Sequence, residues 1–542
     1  MEQFDFKRRF VLKGIGAAGV GVAVAACGGG GSNGGSGGSS GGGSSGGKGV
    51  VPDPSNNSSG TPSAACATGG SIPLYIDASV AATGIPAEYD VYAYITGLVP
   101  FPGQTGQVQN GECYWYQNNA TAGQGGTRVG PTPMYSTDNN QAYGYLSPGG
   151  PVNPNPVGGL STPASQTNYP QPWADYSIKL DRTCATLVAD LADFNNAVGG
   201  GSGTGAFSGR IWFSVGAPKI PFSPNATGTS PSTGQTVVTG YATPTAVTGV
   251  GGYCLYDCLE FSWTPSTSLI YLDATQVDMF GFPVSYYMNG NQSSQQGVYN
   301  KKRSAIINAL AALPSPFNNN MPVPTAGVAA GTYPAVAGSY LRAYSGGQYL
   351  AYNNVTSTYF NGAIAAAVNT WTNTPVAVTC SSNVTQPTYW GKAGALTSQG
   401  YTMNFYNNQA CTGSPAFTFT DLSSNSIISC SGTMTTSSNA DALNTGKAIL
   451  AGFNRSVITG STTVLNIDVI GGTAPLYPQS AYTPPLSENY KVTTDNPWSF
   501  TFHQASSSTL AYGFAFDDVG QQSDTLQQSG TTSVNIQLGI FS

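Results

Sequence analysis

Glu260 and Asp278 stand 18 residues apart in a chain where only 8% of residues are charged, with Trp263, Tyr271, Thr275, Gln276 and Phe280 around them. Rings, hydroxyls and amides beside scarce acids suit a neutral, hydroxyl-rich ligand. Two carboxyl groups flanking a glycosidic bond can hydrolyse it, one protonated to donate to the leaving oxygen and one ionised to act from the opposite side. On spacing alone, two acids on neighbouring strands are more often solvated surface groups.

The elements that must position them read as strands over residues 259–264 and 269–282, joined by the turn-forming Pro265, Ser266, Thr267 and Ser268. Alternation places Glu260, Ser262 and Thr264 on one face of the first strand, and Gln276 and Asp278 on one face of the second. Paired as a hairpin, the two strands would carry both acids on a single polar floor.

Further runs, in order along the chain, are Phe207-Ser208-Gly209-Arg210-Ile211-Trp212, Thr275-Gln276-Val277-Asp278, Phe453-Asn454-Arg455 and Ala511-Tyr512-Gly513-Phe514-Ala515-Phe516-Asp517-Asp518-Val519. Together with Glu260 they resemble glycoside hydrolase family 64, the β-1,3-glucanases with a thaumatin-like core, across roughly residues 70–542. The resemblance implies a mainly β fold: a thaumatin-like β barrel or sandwich plus a mixed α/β domain, enclosing a groove. It also implies cleavage of β-1,3-glucan with inversion, Glu260 acting as general acid with its pKa raised by apolar neighbours such as Trp263, and Asp278 acting as base. Ser262, Thr264, Tyr271, Thr275 and Gln276 fall where that family contacts sugar. This sequence departs from the pattern in a slightly longer span between the acids, Tyr271 in place of Trp and Thr264 in place of Asn. Thr275 and Gln276 are adjacent, so on a regular strand they cannot face one ligand. The alternative reading is a non-catalytic glucan-binding surface protein, which would have no need of the two carboxylates.

At the start of the chain, Lys7-Arg8-Arg9-Phe10-Val11-Leu12-Lys13 and the apolar run to Ala26 read as a twin-arginine signal peptide over residues 1–26. Val24-Ala25-Ala26-Cys27 resembles a lipoprotein processing site, which would make Cys27 the lipidated residue and tether the chain to a membrane. With Gly28 rather than Asp after it, an outer-membrane or cell-surface location is expected. Residues 27–70 are Gly/Ser-rich and read as a flexible linker. Gly14-Ile15-Gly16-Ala17-Ala18-Gly19 fits a dinucleotide-binding pattern but follows no strand, and Gly30-Gly31-Ser32-Asn33-Gly34 fits a nucleophile elbow by composition only.

A net charge of −6 with 18 Lys and Arg offers no footprint for nucleic acid. Eight cysteines remain after Cys27, and an even count in an exported chain suggests disulfides. No C-x-x-C pair and a single histidine, His503, argue against a metal site, and no cofactor is expected. His503 lies in a strand-like run and reads as a structural or substrate-contacting residue rather than a triad base. Helices are predicted from Ser304 to Leu313, from Thr358 to Trp371 and from Asn439 to Phe453, with strands again over 498–519 and 531–540. Helices thus concentrate between strand-rich parts, and the family resemblance implies a β domain over 71–300, a mixed α/β domain over 301–484, and strands over 485–542 that return to the β domain. A long Pro/Gly/Asn-rich insertion is expected over 120–172, and the protein is expected to be monomeric.

Overall fold

A computed structural model of the chain describes residues 65–66, 69–101, 111–120, 127–139, 173–197, 206–216, 219–231, 233–242, 254–289, 296–297, 301–322, 338–379, 388–458, 460–466, 495–506, 510–519 and 523–541. The expected leader, Cys27 and nearly all of the linker lie outside the described residues, as does most of the 120–172 insertion.

Alternating apolar positions make Val91–Pro100, Phe207–Val215 and Leu255–Thr264 the long strands of the first half. They sit side by side in an eight-stranded sheet, flanked by Leu269–Asp273 and Leu526–Gln528 on one edge and by Gly111–Asn118 and Arg128–Pro133 on the other. A five-stranded sheet faces it, with Ser533–Leu538 at its centre between Val284–Asn289 and Pro73–Asp77. Leu74, Ile95, Ile211, Phe213, Leu259, Phe261, Trp263 and Ile536 fill the space between the two sheets. The fold is mainly β, and its β part is a sandwich of open sheets; the described residues form no closed barrel.

Two glycines allow the central strands to close up. A Cβ on Gly209 would stand 2.0 Å from the Thr96 carbonyl oxygen, and one on Gly97 would stand 2.5 Å from that of Ser208. Only a residue without a side chain fits at either position.

A second core surrounds another sheet, in which Gly400–Tyr406 and Thr388–Thr397 are flanked by Phe417–Leu422 and Val376–Thr379. Trp371, Phe405, Phe419, Ile449 and Phe453 meet there. The helices Asn361–Asn373 and Ala440–Asn454 supply part of it, the second capped by Asn439, whose side chain accepts from the Asp441 and Ala442 N–H groups. The first of the expected helices runs Arg303–Ala311, starting one residue before Ser304. A short three-stranded sheet of Met279–Phe280, Tyr340–Tyr344 and Asn319–Pro322 links the two parts, and Phe280 already belongs to the second core.

Two strand expectations are corrected. The run 269–282 is not one strand, because the ladder ends at Asp273 and the chain leaves through an irregular 274–278 segment to Met279–Phe280 in the linking sheet. The run 498–519 is not a strand either. Its first part is the helix Pro497–Ala505, since Asn496 caps it through the Ser499 N–H, Pro497 suits the first turn, and Trp498 and Phe502 bury one face. Turns follow over 515–519.

Cys66 and Cys184 form a disulfide. Cys113 and Cys258 are buried thiols, both pushed up by that burial. No helix among the described residues is long and apolar enough to cross a membrane.

Candidate active site

Glu260 lies mid-strand, where antiparallel register sets Arg210 opposite it on one side and Asp273 opposite it on the other. Cross-strand partners share a face, so the Ser-Gly-Arg run delivers its guanidinium to the acid. Arg210 Nη2 stands 3.4 Å from Glu260 Oε1 and 3.9 Å from Asp278 Oδ2. One nitrogen thus touches both acids.

Arg210 is steadied from below. Its guanidinium lies 5.3 Å from the Trp212 ring centroid, and Trp212 Nε1 donates to Thr96 Oγ1 at 3.0 Å. Burial works against the Arg210 charge, but the neighbouring acidic groups, the Glu260 and Asp278 carboxyls among them, outweigh it and hold the pKa above the usual arginine range. The guanidinium therefore stays charged.

Asp278 sits in the irregular segment between the two sheets, with a quarter of its side chain exposed. Gln348 Nε2 donates to its Oδ1 at 2.6 Å, and the Ser345 N–H donates to its backbone oxygen at 2.9 Å. Both donors come from the start of the helix Gly346–Asn353 in the mixed part of the molecule.

Ser262 and Tyr271 are register partners on the Glu260 face and are both partly exposed. Thr264, at the strand end opposite Leu269, is also partly exposed. Thr275 and Gln276 are buried, and the Gln276 N–H donates to the Tyr512 carbonyl at 2.9 Å while Trp498 Nε1 donates to the Gln276 carbonyl at 2.8 Å. Their side-chain oxygens, Thr275 Oγ1 and Gln276 Oε1, make no hydrogen bond among the described residues. Neither residue lies on a regular strand, so alternation does not govern which way they face.

Trp263 is not beside Glu260. Three residues on, it falls on the opposite face of the strand and packs with Phe261 in the core between the sheets. The apolar wall expected against the acid is absent from that position, and Arg210 is there instead.

The chain matches the glycoside hydrolase 64 family, described as β-1,3-glucanase, over residues 203–538. It belongs to this family. The chain is accordingly a glycoside hydrolase. Two solved structures share its fold. One is a laminaripentaose-producing β-1,3-glucanase in complex with laminaritetraose, at 18% identity and TM-score 0.56, with 88% of this chain and 100% of that one covered. The other is a family 64 β-1,3-glucanase domain from Clostridium beijerinckii, at 17% identity and TM-score 0.51, with 86% and 98% covered. No curated protein matches.

Within this hydrolase the other family motifs have a structural place. Arg455 pairs with Asp517 at 2.8 Å with both side chains fully buried, and Asp517 also meets His503 Nε2 at 3.0 Å. His503 is thus inside the second core and far from solvent. Sequence reasoning missed Gln348 altogether. The Ser345-Gly346-Gly347-Gln348 run signals a helix start by its capping-box spacing, and that pattern would turn the Gln348 side chain back to Ser345 rather than toward Asp278.

Proposed function

We propose that the hydrolase cleaves β-1,3-glucan with inversion, Glu260 protonating the leaving oxygen and Asp278 taking a proton from the attacking water. The observation that carries this reading is Arg210, which touches both acids. In the step, the glycosidic C–O bond breaks as Glu260 gives up its proton, and a water oxygen bonds to the anomeric carbon as Asp278 takes one. A single negative charge passes from Asp278 to Glu260. Arg210, at 3.4 Å from Glu260 and 3.9 Å from Asp278, is closer to the carboxyl on which that charge develops, and stabilises it there.

Because Glu260 Oε1 and Asp278 Oδ2 share one nitrogen, they can stand no more than about 7 Å apart, which admits the short end of the ~6.5–9.5 Å separation of inverting pairs. Ser262, Thr264 and Tyr271, partly exposed on or beside this face, supply hydroxyls and a ring for sugar, and Thr275 and Gln276 supply further polar atoms next to the base. The substrate assignment draws on the family match and on the laminaritetraose seen in a structural relative.

The test is hydrolysis of laminarin and curdlan by the protein and by Glu260→Gln and Asp278→Asn. Each variant should lose about 10²–10⁴-fold in rate while still binding insoluble curdlan. NMR of the first product should show the α anomer. Binding without hydrolysis by the parent protein, or a β anomer, would defeat the reading of the reaction.

We further propose that the enzyme is exported by the twin-arginine route and anchored through an acylated Cys27 to an outer membrane or cell surface, working as a monomer. Support comes from the twin arginines, the apolar run and the small residues before Cys27. Detergent-phase partitioning of the native protein should be abolished by Cys27→Ala. Partitioning that survives the substitution refutes the anchor.

A further inference from the structure

We propose that Gln348 is a positioning residue for the reaction, holding Asp278 by Oδ1 so that Oδ2 is the oxygen that receives the proton. The inference rests on the reading of Asp278 as the base.

The strand ladder that carries Glu260 does not extend to Asp278, which the sheet reaches through the Arg210 side chain. The ladder stops at Asp273, five residues earlier, and the intervening segment is irregular. What fixes Asp278 is the start of the Gly346–Asn353 helix. In a capping box the serine side chain accepts from the fourth residue's N–H, and that residue's side chain reaches back to the serine N–H. Here only the first half is closed within the helix, with Gln348 N–H donating to Ser345 Oγ at 3.3 Å. The second half is not formed, and both groups turn to Asp278 instead, the Ser345 N–H donating to its backbone oxygen at 2.9 Å and Gln348 Nε2 donating to Oδ1 at 2.6 Å. Asp278 is clamped at its main chain and its side chain by one rigid helical turn.

The clamp distinguishes the two carboxylate oxygens. Oδ1 receives the amide, whereas Oδ2 is the oxygen on the side of Arg210 and, beyond it, of Glu260. With the sugar between the two carboxyls, the attacking water lies between it and Asp278 and so meets Oδ2. An amide is neutral and does not titrate near neutral pH, so it holds this orientation throughout the reaction, which a lysine or glutamate would not do without adding charge. The helix buries Leu350 in the second core, while Glu260 projects from the sandwich sheet. Glu260 is thus carried by the sandwich sheet while Asp278 is held by a helix of the mixed part, and Gln348 joins the two.

Gln348→Met, close to glutamine in shape but without the donor, should lower kcat on laminarin by about 10–100-fold with KM changed by less than about twofold. Loss of a donor to the ionised carboxyl should also move the acidic limb of the kcat profile to higher pH. Gln348→Asn, whose amide stops one methylene short, should behave in the same way and gives the answer if the methionine variant fails a thermal-melt check of folding. An acidic limb that stays in place, even with reduced kcat, would mean a merely structural contact and overturn the proposal. So would a kcat within about twofold of the parent. Asp278→Asn run in parallel separates the two readings. If it remains active, the base assignment falls and this inference with it. If it is inactive while Gln348→Met matches the parent, only the inference falls.

Discussion

Arg210 is the residue on which the two acids converge, and its chemistry is not interchangeable with that of lysine. A planar guanidinium can lie over Trp212 and still direct one nitrogen at both carboxylates, whereas an ammonium is a point charge on a flexible stem. Arg210→Met should therefore cost on the order of 10²–10³-fold in kcat, comparable to loss of a donor that stabilises charge in a transition state. Arg210→Lys should recover part of that rate and none of the stacking. Steady-state kinetics of both variants on laminarin decide it, and a methionine variant with parental kcat would remove Arg210 from the chemistry. Glu260 and Asp278 were readable as candidates from their scarcity, and as an acid and base only through the family resemblance. Arg210 was readable only as part of a motif, and its partnership became visible through the register that sets residue 210 opposite residue 260.

At the level of elements, the site depends on how closely two strands approach. Gly97 and Gly209 face each other in the ladder, one position from the Thr96–Arg210 pair. Gly209→Ala would force a Cβ against the Thr96 carbonyl, so the strands must part or the row must shift. An overpacked core position of this kind costs about 1–3 kcal/mol, and here the shift would also carry Arg210 away from the acids. The expected result is a lower denaturation midpoint together with reduced turnover, measured on the same preparation. Unchanged stability would show that the sheet absorbs the methyl group. The glycine of the Ser-Gly-Arg run thus keeps Arg210 in the register that brings it to the two acids. The helix Pro497–Ala505 teaches a different lesson at this scale. Its aromatic-rich sequence has strand propensity, but Asn496, Pro497 and the four-residue spacing of Trp498 and Phe502 outweigh it.

Across the whole molecule, the Arg455–Asp517 pair joins the end of the Ala440–Asn454 helix to the C-terminal turns, and Asp517 also receives Ser499 Oγ at 2.7 Å and the Gly513 N–H at 3.0 Å. The same turns reach the catalytic segment through the Tyr512 carbonyl and the Gln276 N–H. Asp517→Asn leaves Arg455 with a neutral partner in a dry site and should cost about 3–5 kcal/mol of stability, read by urea denaturation at pH 7. Burial alone would raise the Asp517 pKa, but His503 and Arg455 prevail and lower it. A carboxyl with a lower pKa in the folded state stabilises the fold above its unfolded pKa, and that contribution is lost as pH falls through the lowered value. The parent should therefore lose stability on acidification through this range more steeply than Asp517→Asn. Parallel acid profiles for the two proteins would contradict the linkage.

The sequence by itself determined what local periodicity and residue type can carry: a mainly β fold, the face shared by Glu260 and Ser262, the helix capped by Asn439, and a family resemblance resting on four short runs. These follow from neighbours two to four residues apart, where alternation, capping and turn chemistry act. Tertiary structure alone decided where the second acid stands and what surrounds the first. The expected hairpin broke at Asp273, Trp263 turned into the core, and Asp278 was taken up by Gln348, 70 residues along the chain. Contacts at that separation are set by how two cores pack against each other, and no local pattern encodes that packing.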